Sequence, residues 1–437
     1  METYPEKYDV IVVGAGPAGL MAGITACQRG ASVLILEKKE AAGKKLLLTG
    51  HGRCNITNMR IPDNFREAYY ENSRFLTSAL RNYEPIDVRN FFKSMNVPTH
   101  EEENGRVFPD SEKAQDVRDA LVEKFKELGG RLLTKQAVLS FTPADSEERA
   151  FRVVTFNKVY FGSAVILCTG GVSFPATGSE GDGYGLAASC AHEVTPLYPA
   201  LAPLFLTGFT EPDASDKDDC GSEFTLAGVT IPDIGAWIRV DGKESEKVRG
   251  ELLFTHQGVS GPVAMYLSRY LPNADHLYSN MRIFLVLDHV PGVTMDEVEK
   301  RLLAAMQADP NRHMKRLLCE TFRLREKMAE LVLSEDKAAH DVTKPERRKI
   351  VETLKGTRLP IAERTPMDVA YVTRGGVNVK QVDPKTMESK LMKGLYFAGE
   401  ILDVDGISGG YNLQCAWSTG FTAGLYAASS VTQEEEH

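Results

Sequence analysis

The stretch YDVIVVGAGPAGLMAGITACQRGASVLILE, residues 8–37, leaves a folding chain few options. YDVIVVG is a short β-branched run of the kind buried in parallel sheets, GAGPAG a turn, LMAGITACQRG a helix and ASVLILE a second strand. Together they predict a βαβ unit. Within it Gly14, Ala15, Gly16, Pro17, Ala18 and Gly19 follow a strand and open a helix, the context in which G-x-G-x-x-G carries meaning. Gly14 allows the tight turn, Gly16 lets the backbone approach a pyrophosphate, and Gly19 lets helix and strand pack closely. Phosphate then faces free N–H groups at the positive end of the helix dipole. Glu37, with Lys38 beside it, ends the second strand 18 residues after Gly19, where a carboxylate accepts hydrogen bonds from a ribose diol. The motif predicts a bound dinucleotide and does not by itself separate NAD from FAD.

Position separates them. The texture of the first segment returns after Lys393, with a strand-like GLYFAGE and a small-residue helix in YNLQCAWSTGFTAGLYAA. A fingerprint at the start and a return at the end predict a discontinuous FAD-binding domain of the glutathione-reductase-like type. At 437 residues, and ~150 residues per domain, about three units are expected. The expected boundaries are 1–195 with 360–437 for the FAD-binding domain, 196–290 with 341–359 for a β-rich substrate-side insert, and 291–340 for a helical lobe. Residues 78–97 and 112–130 read as helices, and RLLTKQAVLSF, FRVVTFN and SAVILCTGG as a meander leading into a strand of the main sheet. No second G-x-G-x-x-G follows a later strand, so NADH or NADPH is expected to dock transiently over the flavin and to lack a domain of its own.

Composition narrows the class. With 60 acidic against 51 basic residues the net charge is -9, and no basic stripe of the kind a phosphate backbone needs is present, which argues against nucleic acid as a partner. Seven cysteines are spread thinly, at 27, 54, 168, 190, 220, 319 and 415, with no Cys-x-x-Cys pair. That suits a reducing cytosol and signals neither a metal centre nor a disulfide framework. METYPEKYDV carries acids where a signal peptide has a basic and then an apolar region. The longest uncharged run, Val10–Gln28, is broken by four glycines and a proline, against a membrane span. A soluble cytoplasmic protein is expected, its oligomeric state open. The acidic end EEEH reads as a solvated tail.

Several long motifs then carry a resemblance. GKKLLLTGHGRCNITN at 43–58, TGGVSFPATGSEGDGYGLA at 169–187, GELLFTHQGVSGP at 250–262, VTRGGV at 372–377 and GLYFAGEILDVDGISGGYNLQCAWSTGFTAG at 394–424 are similar to the YhiN/BaiN-like FAD-binding flavoproteins, over nearly the whole chain. His51 departs from the Gly or Asn common at that loop position. The resemblance implies a Rossmann-like FAD-binding domain of α/β class with a β-barrel-like insert and a small helical lobe. It further implies one of two activities. The first is NAD(P)H-driven reduction of a C=C bond conjugated to a carbonyl, on a bile-acid- or steroid-like small molecule, by hydride transfer from flavin N5. The alternative is oxidation of a small amine such as aminoacetone with release of peroxide.

Residue by residue, the Arg-Cys-Asn loop is expected to lie along the FAD. Gly50 and Gly52 allow close approach, Lys44, Lys45 and Arg53 can offset diphosphate charge, and Asn55 offers an amide to the flavin edge. Cys54 has no second cysteine near it and reads as a small side chain packed beside the cofactor. Val138, Thr169 and Gly170 are further expected contacts, as are Gly399, Glu400 and Asp403 near the ribityl or pyrophosphate. Gly410, Tyr411, Asn412 and Leu413 open a helix whose N–H groups can face the N1/O2 edge, where charge collects on reduction. His256 is a candidate proton donor where a strand yields to a helix, and Arg374 a candidate anchor for a carboxylate or carbonyl. Tyr184 and Tyr411 are possible substrate-side hydroxyls.

Overall fold

The computed structural model describes residues 6–60, 67–143, 151–207, 226–272, 281–362 and 365–432; the EEEH tail and Cys220 lie outside them. The chain forms two compact units, one comprising Met1–Ala200 with Met367–His437 and the other Leu201–Pro366.

The first unit is built on a seven-stranded sheet. β1 (Glu6–Val13) pairs in parallel with β2 (Val33–Leu36) on one side and with the strand Val159–Leu167 on the other. Arg131–Leu133 extends the sheet beyond β2. The far edge of Val159–Leu167 is shared by two strands. Phe151–Thr155 runs antiparallel against its first half and Leu395–Phe397 parallel against its second. That shared edge is where the chain's last segment rejoins its first. Val10–Val13 and Ala164–Leu167 are buried, as strands covered on both faces must be.

Two helices cover the sheet most closely: α1 (Pro17–Gln28) and the long helix Tyr411–Thr432. Gly420 and Gly424 let them touch, because a Cβ at Gly420 would come within 2.5 Å of the Ala18 carbonyl oxygen and one at Gly424 would overlap that of Ala22. The predicted helix over 78–97 is two helices, Thr77–Asn82 and Pro85–Ser94. Pro85 cannot donate to the preceding turn, and Glu84 with Asp87 forms a reciprocal capping box that starts the second helix. A small antiparallel sheet of Thr57–Asn58, Arg106–Pro109 and Thr99–Glu101 was not anticipated.

The second unit holds a seven-stranded antiparallel sheet whose first strand, Leu204–Phe205, and last, Thr357–Pro360, approach one another. The Leu206–Ile361 bridge joins them, so the sheet curls into a barrel-like closure. Beside it the helices Met295–Ala308, Met314–Phe322, Glu326–Val332 and Lys344–Gly356 share one apolar cluster. The sequence placed 341–359 with the β-rich insert. Thr343 and Glu346 cap a helix there, and its Ile350, Val351 and Leu354 pack with the other helices. Residues 360–366, assigned from sequence to the FAD domain, stay with this second unit.

Candidate cofactor and active site

At the nucleotide end the three fingerprint glycines do different work. Gly14 has φ +100°, and a Cβ there would meet the Cys168 carbonyl oxygen at 2.6 Å; one at Gly19 would overlap the Gly14 carbonyl oxygen. Both are packing requirements. A Cβ at Gly16 would meet nothing within 4 Å, so the N-terminus of α1 opens onto free space. The first turn of α1 carries no acid, and no side chain caps it. The Ala15 N–H donates to Glu37 Oε2 and the Lys39 N–H to Oε1, each at 2.8 Å, fixing the carboxylate while leaving a lone pair on each oxygen for a diol. The backbone of Lys135 and Gln136 bonds back to Lys39 and Glu37, which brings the chain past Glu37 on its way to Val138. Lys38 pairs with Glu180 and Asp182.

The Arg-Cys-Asn loop turns sharply, with Gly50, His51 and Cys54 at φ 57°, 57° and 63°. Its cations are engaged within the protein. Arg53 lies 3.9 Å over the Phe108 ring and pairs with Glu102 and Glu112, holding both carboxyls below the usual carboxylate range. Its predicted phosphate role is corrected: two acids already hold this guanidinium. Lys44 pairs with Glu40 at 2.7 Å. Lys45 donates to Glu400 Oε2 at 2.7 Å and to Ser173 Oγ at 2.6 Å, tying the loop to the C-terminal segment. Cys54 is fully buried, and burial pushes its thiol up to about 12, so it is a packed thiol with no thiolate at neutral pH.

The C-terminal segment runs between the two helix N-termini. A Cβ at Gly399 would meet Ala18 Cβ at 2.7 Å, which sets this turn against the start of α1. Glu400 accepts from Lys45, from Ser173 Oγ at 3.2 Å and from the Thr373 N–H at 2.9 Å. Gly410, at φ +100°, is held against Thr57 and Asn55: a Cβ there would lie 2.9 Å from Asn55 Oδ1. One side-chain role expected here, that of the Tyr411 hydroxyl, is corrected. The Asn412 amide folds back on Gly406, accepting from its N–H at 2.8 Å and donating to its carbonyl at 2.9 Å. The Tyr411 hydroxyl donates to the Arg60 carbonyl at 2.9 Å, so it is not a free substrate-side group. Leu413 packs against the core, leaving its backbone for any ligand.

Three buried oxygens in these segments have no partner among the described residues: Asn55 Oδ1, Thr169 Oγ1 and the Tyr184 hydroxyl. Buried polar atoms are satisfied as a rule. Thr169 adjoins Gly170, whose φ of +74° turns the chain toward Ser179 and Glu400. Free N–H groups at α1, the fixed Glu37 and these orphaned oxygens fit an extended, polar dinucleotide such as FAD.

Comparison with known proteins agrees. Residues 8–426 match the HI0933-like protein Rossmann domain. The chain belongs to the HI0933-like family. It is 30% identical over 423 residues to the 3-dehydro-bile acid delta(4,6)-reductase of Clostridium scindens, covering 95% of this chain and 98% of that protein. It is 29% identical over 430 residues to the ribosomal RNA dihydrouridine synthase of Escherichia coli (strain K12), covering 97% and 100%. The solved 3-ketosteroid delta1-dehydrogenase from Sterolibacterium denitrificans, in complex with 1,4-androstadiene-3,17-dione, shares the fold at TM-score 0.51 and 14% identity, over 97% of this chain and 100% of that one. Family and fold make this HI0933-like protein a flavin-dependent oxidoreductase of the Rossmann type. Among the described residues no helix is long and apolar enough to cross a membrane.

In this HI0933-like chain the two candidate catalytic side chains fall in different units. His256 is exposed in the turn between the antiparallel strands Val248–Phe254 and Gly258–Ser260; the helix expected directly after it begins only at Pro262. Arg374, in the strand Val372–Arg374 of the first unit, pairs across to Tyr198 and reaches Glu71 at 3.3 Å. Tyr184 is buried, and burial followed by the fields of Glu400 and Asp403 raises its phenol well above the ordinary value. Sequence reasoning missed Ser173 and Thr373. Both serve Glu400 from more than twenty residues away along the chain, and no local pattern announces that.

Proposed function

We propose that this HI0933-like protein reduces a C=C bond conjugated to a carbonyl, with NADH or NADPH as the transient donor to bound FAD. One observation carries the reading: full-length relatives are named for two reactions that share this chemistry. A delta(4,6) bond is conjugated to a 3-oxo group, and dihydrouridine is uridine whose C5=C6 bond, conjugated to a carbonyl, has been saturated. Bound FAD supplies the hydride for the β carbon of such a bond.

The chain's own residues do the rest. Glu37 and the first turn of α1 hold the nucleotide end. Glu400, fixed by Lys45, Ser173 and Thr373, and the backbone at Gly410–Leu413 hold the middle and the ring end. Arg374 orients the substrate carbonyl by a charge-assisted hydrogen bond.

A small, steroid-like enone is the preferred substrate. The net charge is -9, and Lys38, Lys39, Lys44, Lys45 and Arg53 are all paired with acids, leaving few free cations near the cofactor segments for a phosphate backbone. Uridine in ribosomal RNA is the second reading, favoured by the Escherichia coli relative. Free thiols at all six described cysteines suit a cytoplasmic setting.

Anaerobic stopped-flow absorbance tests the proposal. NADH or NADPH should bleach the flavin band, and a 3-oxo-Δ4 or Δ4,6 steroid should restore it. Restoration only by uridine-bearing ribosomal RNA would transfer the reading to RNA. Bleaching by aminoacetone but not by either nicotinamide would sink it in favour of the amine oxidase.

A further inference from the structure

Reduction of a conjugated C=C bond draws two things from the protein besides the flavin: a hydrogen-bond donor or cation beside the carbonyl oxygen and an acid beside the α carbon. The geometry points to Arg374 and Asp403 as that pair, with Asp403 as the proton donor; the inference rests on the reductase reading above.

The two side chains stand on neighbouring segments locked together by backbone. Val377 N–H donates to the Ile401 carbonyl at 2.8 Å and Asp403 N–H to the Val377 carbonyl at 3.0 Å. Gly375 and Gly376 make this contact possible. Gly376 has φ +153°, and a Cβ there would come within 2.9 Å of the Asp403 nitrogen. Thr195 clamps the same turn, accepting from the Gly376 N–H at 3.0 Å and donating to its carbonyl at 3.1 Å. Asn72 holds the other side through the Asp403 carbonyl at 2.7 Å. The placement along the cofactor path is fixed as well. Asp403 follows Gly399, which packs on the start of α1, and precedes Gly410, which opens the helix Tyr411–Thr432.

Both groups are available for a substrate. Arg374 is mostly buried, at 21% exposure, yet its ion-pair partner Glu71 is 75% exposed, a pairing that contributes little in solvent. Asp403 is half-buried and makes no ion pair among the described residues; its carboxyl is flanked by Thr195 and Asn72. The charged and titratable groups around it are Glu71, Arg374 and the Tyr184 phenol. Burial outweighs the rest and raises the carboxyl above its usual range, which favours the protonated form an acid catalyst needs. The other candidate acid, His256, belongs to the second unit.

The step balances as follows. The substrate's β carbon accepts the hydride, the π electrons move to the carbonyl oxygen facing Arg374, and the resulting enolate takes the Asp403 proton at its α carbon. Asp403, left as carboxylate, recovers a proton from water. NADH or NADPH, oxidised to NAD+ or NADP+, replaces the hydride.

The test separates the half-reactions of the holoenzyme and adds a readout independent of turnover. Asp403→Asn should slow reoxidation by the enone about 100-fold or more, far more than it changes flavin reduction by NAD(P)H, and should abolish the alkaline fall of the reoxidation rate. Asp403→Glu should restore part of it. Infrared difference spectra should show a protonated-carboxyl band, lost in Asp403→Asn, that titrates with the same midpoint as the rate. Equal reoxidation rates and pH profiles in parent and Asp403→Asn would overturn the assignment alone, and an alkaline limb lost only in His256→Ala would hand the role to His256. Failure of enones and RNA alike to reoxidise the parent would overturn the reductase reading, and the assignment with it.

Discussion

The turn Gly14–Gly19 and the loop Gly50–Asn55 are both glycine-rich, and their sequences suggest the same task; the structure gives them opposite ones. The first ties down the N–H groups of Gly14 and Ala15 but leaves the uncapped start of α1 open onto space at Gly16. The second engages its charges inside the protein, Arg53 with Glu102, Glu112 and Phe108, and the neighbouring Lys45 with Glu400. The open backbone lies at a helix start, where an anion can be held without a cation, while the cations of the loop are held by acids and position it. A neutral helix terminus needs no counter-charge when empty. A half-buried lysine or arginine does, and the fold supplies it.

That contrast can be broken at several points. The largest effect is expected within the turn itself. Gly19→Ala drives a methyl group into the Gly14 carbonyl and should cost about 3 kcal/mol in denaturant unfolding. Gly16→Ala should unfold like the parent but lose flavin on gel filtration, because its methyl occupies only the open space. Equal stability losses in the two would erase the distinction.

Next comes the link between loop and C-terminal segment. Lys45→Ala leaves Glu400 half-buried with its charge uncompensated and should cost roughly 1–3 kcal/mol. Lys45→Ala paired with Glu400→Gln should recover part of this in a double-mutant cycle, and strict additivity of the two would refute the coupling.

Arg53→Ala removes a cation–π contact and two partly exposed ion pairs, for about 1 kcal/mol. With Arg53 engaged by Glu102 and Glu112, the salt dependence of flavin binding should be unchanged; a flattened dependence, read by fluorescence titration, would restore the phosphate role.

The smallest expected effect is on stability at Asp403. Burial raises this carboxyl, so the folded chain holds its proton more tightly than the unfolded chain does. That contribution is complete below the ordinary value of ~4 and is lost as pH rises through the folded value. Asp403→Asn has no such loss. Its thermal midpoint relative to the parent should therefore climb across that window and then level off, and a flat difference across pH would show that Asp403 is not held in its protonated form.

Much of the first unit was legible locally. The βαβ unit, the packing of Gly19 on Gly14, Glu37 at the strand end and a helix beginning beside Asn412 all rest on residues within a few turns of one another. Where reading failed, the deciding partner was distant. Lys45 meets Glu400 across 355 positions, and Arg53 meets Glu112 across 59. A cation near a cofactor motif looks free in sequence because its carboxylate lies elsewhere. Tyr411 misled for a related reason: its hydroxyl satisfies loop backbone at Arg60 that only the folded chain brings near. The helix Lys344–Gly356 was lost between expected strands, although the Thr343–Glu346 capping box was there to be read.

Sequence by itself determined the class of the protein, because strand periodicity, a glycine turn and a helix start are short-range physics that thirty residues can encode. Tertiary structure alone decided which charges remain for a ligand. Burial and ion pairing depend on what else is packed within a few ångströms, and that packing committed Arg53 and Tyr411 to the scaffold while leaving the Tyr184 hydroxyl without a partner among the described residues and setting Asp403 beside the Arg374 turn.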